Sequence, residues 1–256
     1  KAISMVMAGG VVSALLGPEL AKWSYDLFDV DGVGTVSYAG CFVVAAAFQA
    51  SILIFLKFVK IPRETAEQQK DTGRPLSEIV RQPRFVVAAA GSMIGYGVMS
   101  FVMTATPLAI VACGFLFVDS AFVIQWHSFA MFAPSFFTGS LISRFGVLPV
   151  MLTGAVALIA CVGFTVSGIE LYQFWWGLVM LGIGWNFLFI GGTSMLGQCH
   201  TPAEKAKVQG LNDFMVFSTV TVASFSAGAI FYYFGWIETN LSVLPLIAIV
   251  IVLLLW

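Results

Sequence analysis

The stretch from Leu244 to Trp256 reads LPLIAIVIVLLLW and carries no charged side chain. It is apolar on every face, so it lacks the strand-like alternation of an outer-membrane barrel. A transmembrane α-helix needs about 20 consecutive, mostly apolar residues, and this stretch completes such a segment beginning near residue 240. It therefore predicts a helix that crosses a membrane.

Seven further segments of the same character occur along the 256 residues. The eight predicted spans are residues 3–22, 38–60, 85–112, 119–142, 147–168, 171–197, 208–234 and 240–256. Only 10% of the residues are charged, against about 25% in soluble domains, which excludes an ordinary soluble enzyme. The net charge of −1 provides no basic surface for nucleic acid. The predicted fold class is an all-α integral membrane protein embedded in the lipid bilayer.

The loop charges predict the orientation of these spans. Lysine and arginine in short loops are retained on the cytoplasmic side of a membrane. Seven of the 12 lysines and arginines lie between Lys57 and Arg84, whereas Asp26, Asp29 and Asp31 lie in an opposite loop. The charges of the alternate loops agree with one another, so both ends of this chain are expected to face the cytoplasm.

The one substantial polar connection runs from residue 61 to residue 84 and contains three prolines and a glycine. It predicts a cytoplasmic linker between two domains, with two spans before it and six after it. The chain begins at Lys1 rather than at a methionine and ends within an apolar run. We expect additional sequence at the N-terminus, and further residues beyond Trp256.

The segment from Gly139 to Gly146 reads GSLISRFG and lies on the predicted cytoplasmic side. It resembles the G-x-L-a-D-R-x-G loop of the major facilitator superfamily, with Ser143 where the motif prefers aspartate. Gly17-Pro18 similarly resembles the fifth helix of that superfamily. The resemblance implies a major facilitator helical bundle in which helices five to twelve of an expected twelve are present. It also implies a gating role for Arg144.

Under this resemblance the chain divides into three parts. Residues 1–60 hold the last two helices of the N-terminal bundle, residues 61–84 form the cytoplasmic inter-domain linker, and residues 85–256 form the C-terminal six-helix bundle. The first four helices are then expected to lie outside this sequence. Such a protein is a multi-pass protein of the bacterial inner membrane.

Two short motifs narrow the resemblance. Residues 99–103 read MSFVM, and residues 127–131 on the next predicted helix read HSFAM. This pair resembles the CcoA-like copper importers, bacterial major facilitator proteins that supply copper for cytochrome c oxidase assembly. The resemblance implies copper ligands, a copper relay or redox residue, and a link to oxidase assembly. The implied ligands are Met99, Met103, His127 and Met131, and the relay or redox residue is Cys113. The family also contains relatives proposed to move riboflavin or other organic solutes.

Physical chemistry favours a soft metal ion at these residues. Side chains four positions apart share one face of a helix, thioethers select Cu(I), and imidazole also suits copper. At 1.5 Å per residue, Met99 lies about 21 Å and Met131 about 18 Å from the start of its own helix, near the bilayer midplane. The expected function is import of Cu(I) by alternating access. No catalytic set and no cofactor motif is visible, so an enzyme is not expected.

Alternative interpretations remain for several of these residues. Methionine is a common filler of apolar cores, and His127 could be a packed core histidine or a proton carrier. Asp213, at the start of the eleventh helix, is a candidate for gating or proton coupling. Gly182 and Gly184 lie inside an apolar helix and predict close helix packing.

The tryptophans and the scaffold keep two other functions open. Five tryptophans mostly fit an interfacial belt. Those that lie near mid-helix could stack on an aromatic solute instead. The candidates are Trp126, Trp175, Trp176, Trp185 and Trp236. The first alternative is a transporter of a riboflavin-like or drug-like organic solute. The second is a non-transporting partner subunit of a membrane complex.

Overall fold

The computed structural model describes residues 2–25, 27, 39–59 and 73–256. These ranges are helical, which confirms the predicted all-helical class. The elements are α1 (Ala2–Ser24), α2 (Ala39–Leu56), α3 (Leu76–Ile79), α4 (Pro83–Ala112), α5 (Phe117–Phe132), α6 (Ser135–Phe145), α7 (Val147–Val166), α8 (Leu171–Leu196), α9 (Lys205–Leu241) and α10 (Leu244–Leu255), with a 3-10 turn at Pro202–Glu204.

Five helical segments of the described chain are long and apolar enough to cross a membrane: 39–56, 83–112, 147–166, 171–196 and 202–255. The last segment contains α9 and α10, and the backbone inside α9 departs from helical geometry at Gly235, where φ is +87°. The predicted span 119–142 is two helices, α5 and α6, separated at Ala133 and Pro134. Proline lacks the N–H that would continue the hydrogen-bond ladder and clashes with the preceding turn.

Helix α8 lies at the centre of the bundle and packs against α4, α5 and α7. Its glycines allow backbones to meet directly. A Cβ atom on Gly184 would lie 2.9 Å from the carbonyl oxygen of Gly154 in α7, and one on Gly182 would lie 2.7 Å from that of His127 in α5. Small residues at such crossings are typical of packed membrane helices, so the predicted packing role of Gly182 and Gly184 is confirmed.

The remaining helices surround this centre. Helix α9 packs on α4, α10 packs on α7 and α4, α1 packs on α5, and α2 contacts α1. Residues 60–72, the greater part of the predicted linker, lie outside the described residues, as do Asp26, Asp29 and Asp31. The domain boundaries and the orientation therefore stay predictions.

The end of the predicted linker is bound to the loop between α8 and α9. The Nε and Nη2 atoms of Arg74 donate to the two carboxylate oxygens of Glu204, each at 2.9 Å. The backbone N–H groups of Arg74 and Thr201 donate to the same carboxylate at 2.8 and 2.9 Å. We call this arrangement the Arg74–Glu204 clasp. The Arg74 guanidinium, aided by these two N–H groups, holds the pKa of the Glu204 carboxyl well below its usual range.

Candidate functional site

His127 lies in α5 with its side chain completely buried. Its Nδ1 atom lies 2.8 Å from the carbonyl oxygen of Leu178 in α8. A carbonyl oxygen only accepts hydrogen bonds, so Nδ1 carries the proton and Nε2 presents a lone pair. Nε2 is buried and has no hydrogen-bond partner among the described residues. The imidazole therefore joins α5 to α8 through one nitrogen and keeps an unused acceptor on the other.

The three methionines of the two motifs are part of the apolar core. Met99 and Met131 are buried members of the main hydrophobic cluster, and Met103 is half-buried against it. Within the described ranges no group of three or more histidine, cysteine, aspartate or glutamate side chains is placed to hold a metal ion. The methionines are therefore surrounded as packing residues are. Core packing is the alternative that the sequence left open for them.

Asn186 holds the break between α5 and α6. It is completely buried in α8, and its Nδ2 atom donates to the carbonyl oxygen of Met131 and to the hydroxyl of Ser135, both at 2.6 Å. The hydroxyl of Thr138 lies 2.7 Å from Asn186 Oδ1 and 2.8 Å from the carbonyl oxygen of Pro134. One amide thus satisfies polar groups that the interrupted helix leaves unpaired. The sequence analysis did not identify Asn186, although a lone asparagine within a long apolar helix is a usable signal.

Four aromatic side chains from three helices meet near the centre of the bundle. Trp185 and Phe189 of α8 are stacked, with ring centroids 5.1 Å apart and planes 10° from parallel. Tyr96 of α4 stands edge-on to both rings, at 5.3 and 5.4 Å. Phe132 of α5 stands edge-on to Trp185 at 6.1 Å. We call these four residues the aromatic wall.

Phe132, one member of the aromatic wall, lies where α5 meets α1. A Cβ atom on Gly10 of α1 would lie 2.8 Å from the ring of Phe132. Separately, α1, α4 and α5 line an open cavity of about 770 Å³, within the range of about 300–1,000 Å³ typical of small-molecule sites. None of the four wall residues lines this cavity. Its lining is largely apolar and includes Pro18, Pro107 and the hydroxyls of Ser120 and Ser128. Phe132 and the cavity both lie between α1 and helices of the predicted C-terminal bundle.

The tryptophans divide into two groups. Trp126 and Trp176 are 39% and 40% exposed, whereas Trp185 and Trp236 are only 6% and 8% exposed. Trp185 and Trp236 are therefore packed inside the bundle, whereas Trp126 and Trp176 expose part of their rings, as residues of an interfacial belt do. Membership of the belt stays a prediction. The Trp185–Phe189 spacing of four residues was a signal for the aromatic wall, since it places both rings on one face of α8.

The other predicted site residues lie at the periphery. Cys113 is exposed at the end of α4. Arg144 is exposed in the last turn of α6, where its guanidinium lies 5.2 Å from the ring centroid of Phe145. Asp213 is exposed on α9, with Asn212 Nδ2 3.5 Å from its Oδ1 atom. The structure does not bring these three residues to the aromatic wall, and their predicted roles stay predictions.

Curated proteins similar to the chain are bacterial membrane transporters. The riboflavin transporter RfnT of Brucella anthropi is 44% identical over 254 residues, which cover 98% of this chain and 63% of that protein. The uncharacterized MFS-type transporters YddS and YdeG of Bacillus subtilis are 26% and 27% identical over 100% and 84% of this chain. No protein-family model matches the chain.

The chain spans between 53% and 63% of the length of these relatives. It is an all-helical, multi-pass membrane protein with homologues of the major facilitator type, and those homologues are transporters rather than enzymes. The general resemblance to that superfamily is thereby confirmed.

The predicted copper substrate is wrong. The relative that is 44% identical over nearly the whole chain is a riboflavin transporter, which favours the organic-solute alternative. The sequence analysis gave too much weight to the methionine motifs. Methionine and one helix-bridging histidine also suit core packing, and the structure places them there. The link to cytochrome c oxidase assembly and the copper-relay role of Cys113 were inferred from a copper substrate and lose their basis with it. The redox role of Cys113 stays a prediction.

Proposed function

We propose that this chain is the larger part of a bacterial major facilitator transporter that carries riboflavin or a closely related flavin across the membrane. The observation that carries the proposal is the 44% identity to the riboflavin transporter RfnT over 98% of the chain. Substrate and transport belong to the whole protein, because the chain corresponds to 63% of that relative.

The aromatic wall supports a flat, fused-ring substrate. Aromatic faces stack favourably on other π-systems, and riboflavin carries a planar three-ring isoalloxazine. A hydrated metal ion gains little from such a surface, because ions are bound by charged or strongly coordinating side chains.

The position of the aromatic wall is also suitable for transport. Phe132 of the wall and the 770 Å³ cavity both lie between α1 and helices of the predicted C-terminal bundle. Transporters built from repeated bundles bind substrate between the bundles and expose it alternately to the two sides. A solute held against the wall is released when α1 and the C-terminal helices move apart.

Several predictions form part of this proposal. The protein resides in the inner membrane with both ends of this chain in the cytoplasm, and residues 61–84 connect the two bundles. Arg144 acts in gating, and Asp213 acts in gating or proton coupling. Both residues are exposed in the described structure, as groups that meet a second bundle need to be.

Riboflavin uptake by cells tests the proposal. The full-length protein is expressed in a bacterial strain that can neither make nor import riboflavin, and uptake, growth and cellular copper are measured together. We expect growth at low riboflavin with unchanged copper content. A protein that is present in the membrane at normal level but restores neither uptake nor growth contradicts the proposal.

A matched pair of tyrosine variants connects the uptake to the aromatic wall. Tyr96→Ala removes the edge-on ring of the wall and is expected to reduce uptake. Tyr172→Ala removes a side chain that is 60% exposed at the start of α8 and is expected to leave uptake unchanged.

A further inference from the structure

Trp185 is the buried centre of the aromatic wall, and its indole N–H has no hydrogen-bond partner among the described residues. Trp236 is nearly as buried, yet its N–H donates to the carbonyl oxygen of Thr165 at 2.9 Å. Buried polar groups in native proteins are nearly always paired, and an unpaired one calls for an explanation. The fold satisfies one of these two buried indoles and leaves the other with an unused donor.

The surroundings of this donor are aromatic on several sides. Phe189 stacks on the indole of Trp185, and Tyr96 and Phe132 stand edge-on to it. These three neighbours are half-buried, so they form the cover over a fully packed indole. None of the three offers a carbonyl or carboxylate oxygen from its side chain, because phenylalanine has no polar group and tyrosine has only a hydroxyl.

We propose that Trp185 recognises the substrate ring, with its Nε1–H donating to a carbonyl oxygen of a planar heteroaromatic ring packed on the aromatic wall. This inference rests on the proposed function and assigns the recognition to the ring rather than to the sugar-like chain of a flavin. Isoalloxazine fits because it has two ring carbonyls in the plane of three fused rings.

The specificity follows from the two parts of the contact. Stacking alone accepts any flat aromatic ring. A buried donor discriminates further, because a ring without an acceptor leaves the donor unpaired. The site therefore favours fused rings that carry a carbonyl over fused rings of the same shape that lack one.

Equilibrium binding of ligands to the purified full-length protein tests this assignment. The readout is quenching of the ligand's fluorescence, and weakly fluorescent ligands are measured by their competition with riboflavin. The probes are riboflavin, lumichrome, which keeps the ring carbonyls without the sugar-like chain, and anthracene, which has three fused rings and no hydrogen-bond acceptor. Trp185→Phe keeps an aromatic ring and removes the donor. Trp176→Phe is the matched control, because that indole is 40% exposed and stacks on Phe164 away from the wall.

We expect Trp185→Phe to weaken the binding of riboflavin and lumichrome by about tenfold, the effect of one lost hydrogen bond, and to leave the binding of anthracene unchanged. Trp176→Phe should bind all three ligands as the parent does. Equal losses for all three ligands, or unchanged riboflavin binding in Trp185→Phe, overturn the donor role while leaving the proposed function in place. A parent protein that binds neither riboflavin nor lumichrome overturns the proposed function and this assignment with it.

Discussion

Replacing Asn186 by alanine should loosen the joint between α5, α6 and α8. The amide donates two hydrogen bonds of 2.6 Å, to the Met131 carbonyl and the Ser135 hydroxyl. Thr138 keeps the Pro134 carbonyl as a partner in the variant, since that oxygen lies 2.8 Å from its hydroxyl. Of the three contacts of this amide, the change therefore removes the two that it donates without replacement, whereas the Thr138 proton passes wholly to the Pro134 carbonyl. The Met131 carbonyl is left without its partner.

The size of the effect follows from the number of bonds lost. Hydrogen bonds between membrane helices contribute about 0.6 kcal/mol on average and about 1.7 kcal/mol at most. Two bonds therefore predict a decrease of about 1–3 kcal/mol in the free energy of unfolding. The measurement is reversible unfolding of the full-length protein in mixed detergent micelles, followed by tryptophan fluorescence.

Two comparison variants make this prediction specific. Thr193→Val removes an exposed hydroxyl that bonds Phe189 within the same helix, and a change below about 0.5 kcal/mol is expected. Ser135→Ala removes only one of the hydrogen bonds that Asn186 donates, so it should lower the free energy of unfolding by about half as much as Asn186→Ala. An Asn186→Ala protein as stable as the parent, or one no less stable than Thr193→Val, would refute the role given to this amide.

Two further predictions concern the loops at Gly146 and at Glu204. Gly146 has φ +89° and ψ 163°, a region open essentially to glycine alone, so Gly146→Ala should lower the free energy of unfolding by about 1–3 kcal/mol. Gly139→Ala, at an uncrowded helical position, should not lower it, and equal losses in both variants would contradict the backbone argument. The lowered pKa of the Glu204 carboxyl keeps the Arg74–Glu204 clasp ionised from neutral pH down to about pH 5, and its contribution is lost only as the pH falls through that lowered pKa. Glu204→Gln should therefore accelerate hydrogen exchange of the Arg74 amide at neutral pH. The control is Glu78→Gln, which should not accelerate it, because Glu78 is exposed and its Oε1 atom lies 4.0 Å from Arg74 Nη1. Slow exchange in Glu204→Gln would show that the carboxylate does not hold the linker.

The helices could be predicted from the sequence because uncharged apolar runs have few alternatives in a membrane. The limits 85–112, 147–168 and 171–197 lie within a few residues of α4, α7 and α8. The departure from helical geometry at Gly235 was not predicted, because an isolated glycine in an apolar run does not reveal a positive φ. A positive φ at one residue depends on how the flanking helical segments pack on other helices, and one sequence segment does not contain that information.

The site was harder to predict for a physical reason. A methionine pair at a spacing of four residues looks the same whether it binds a metal or fills a core, and the structure places Met99 and Met131 in the core. For His127 the sequence implied a copper ligand and left a packed core histidine as an alternative, and the hydrogen bond to Leu178 depends on contact with another helix. The aromatic wall joins residues about 90 positions apart along the chain, a proximity that only the folded bundle creates.

The central claim is transport of a flavin, and flux into proteoliposomes measures it most directly. The purified full-length protein is reconstituted into vesicles preloaded with unlabelled riboflavin, and the exchange of labelled riboflavin from outside is followed over time. The account predicts exchange that depends on the protein, is competed by lumichrome and is unaffected by copper ions. Exchange no faster than in protein-free vesicles, from protein that is folded and inserted, would contradict it.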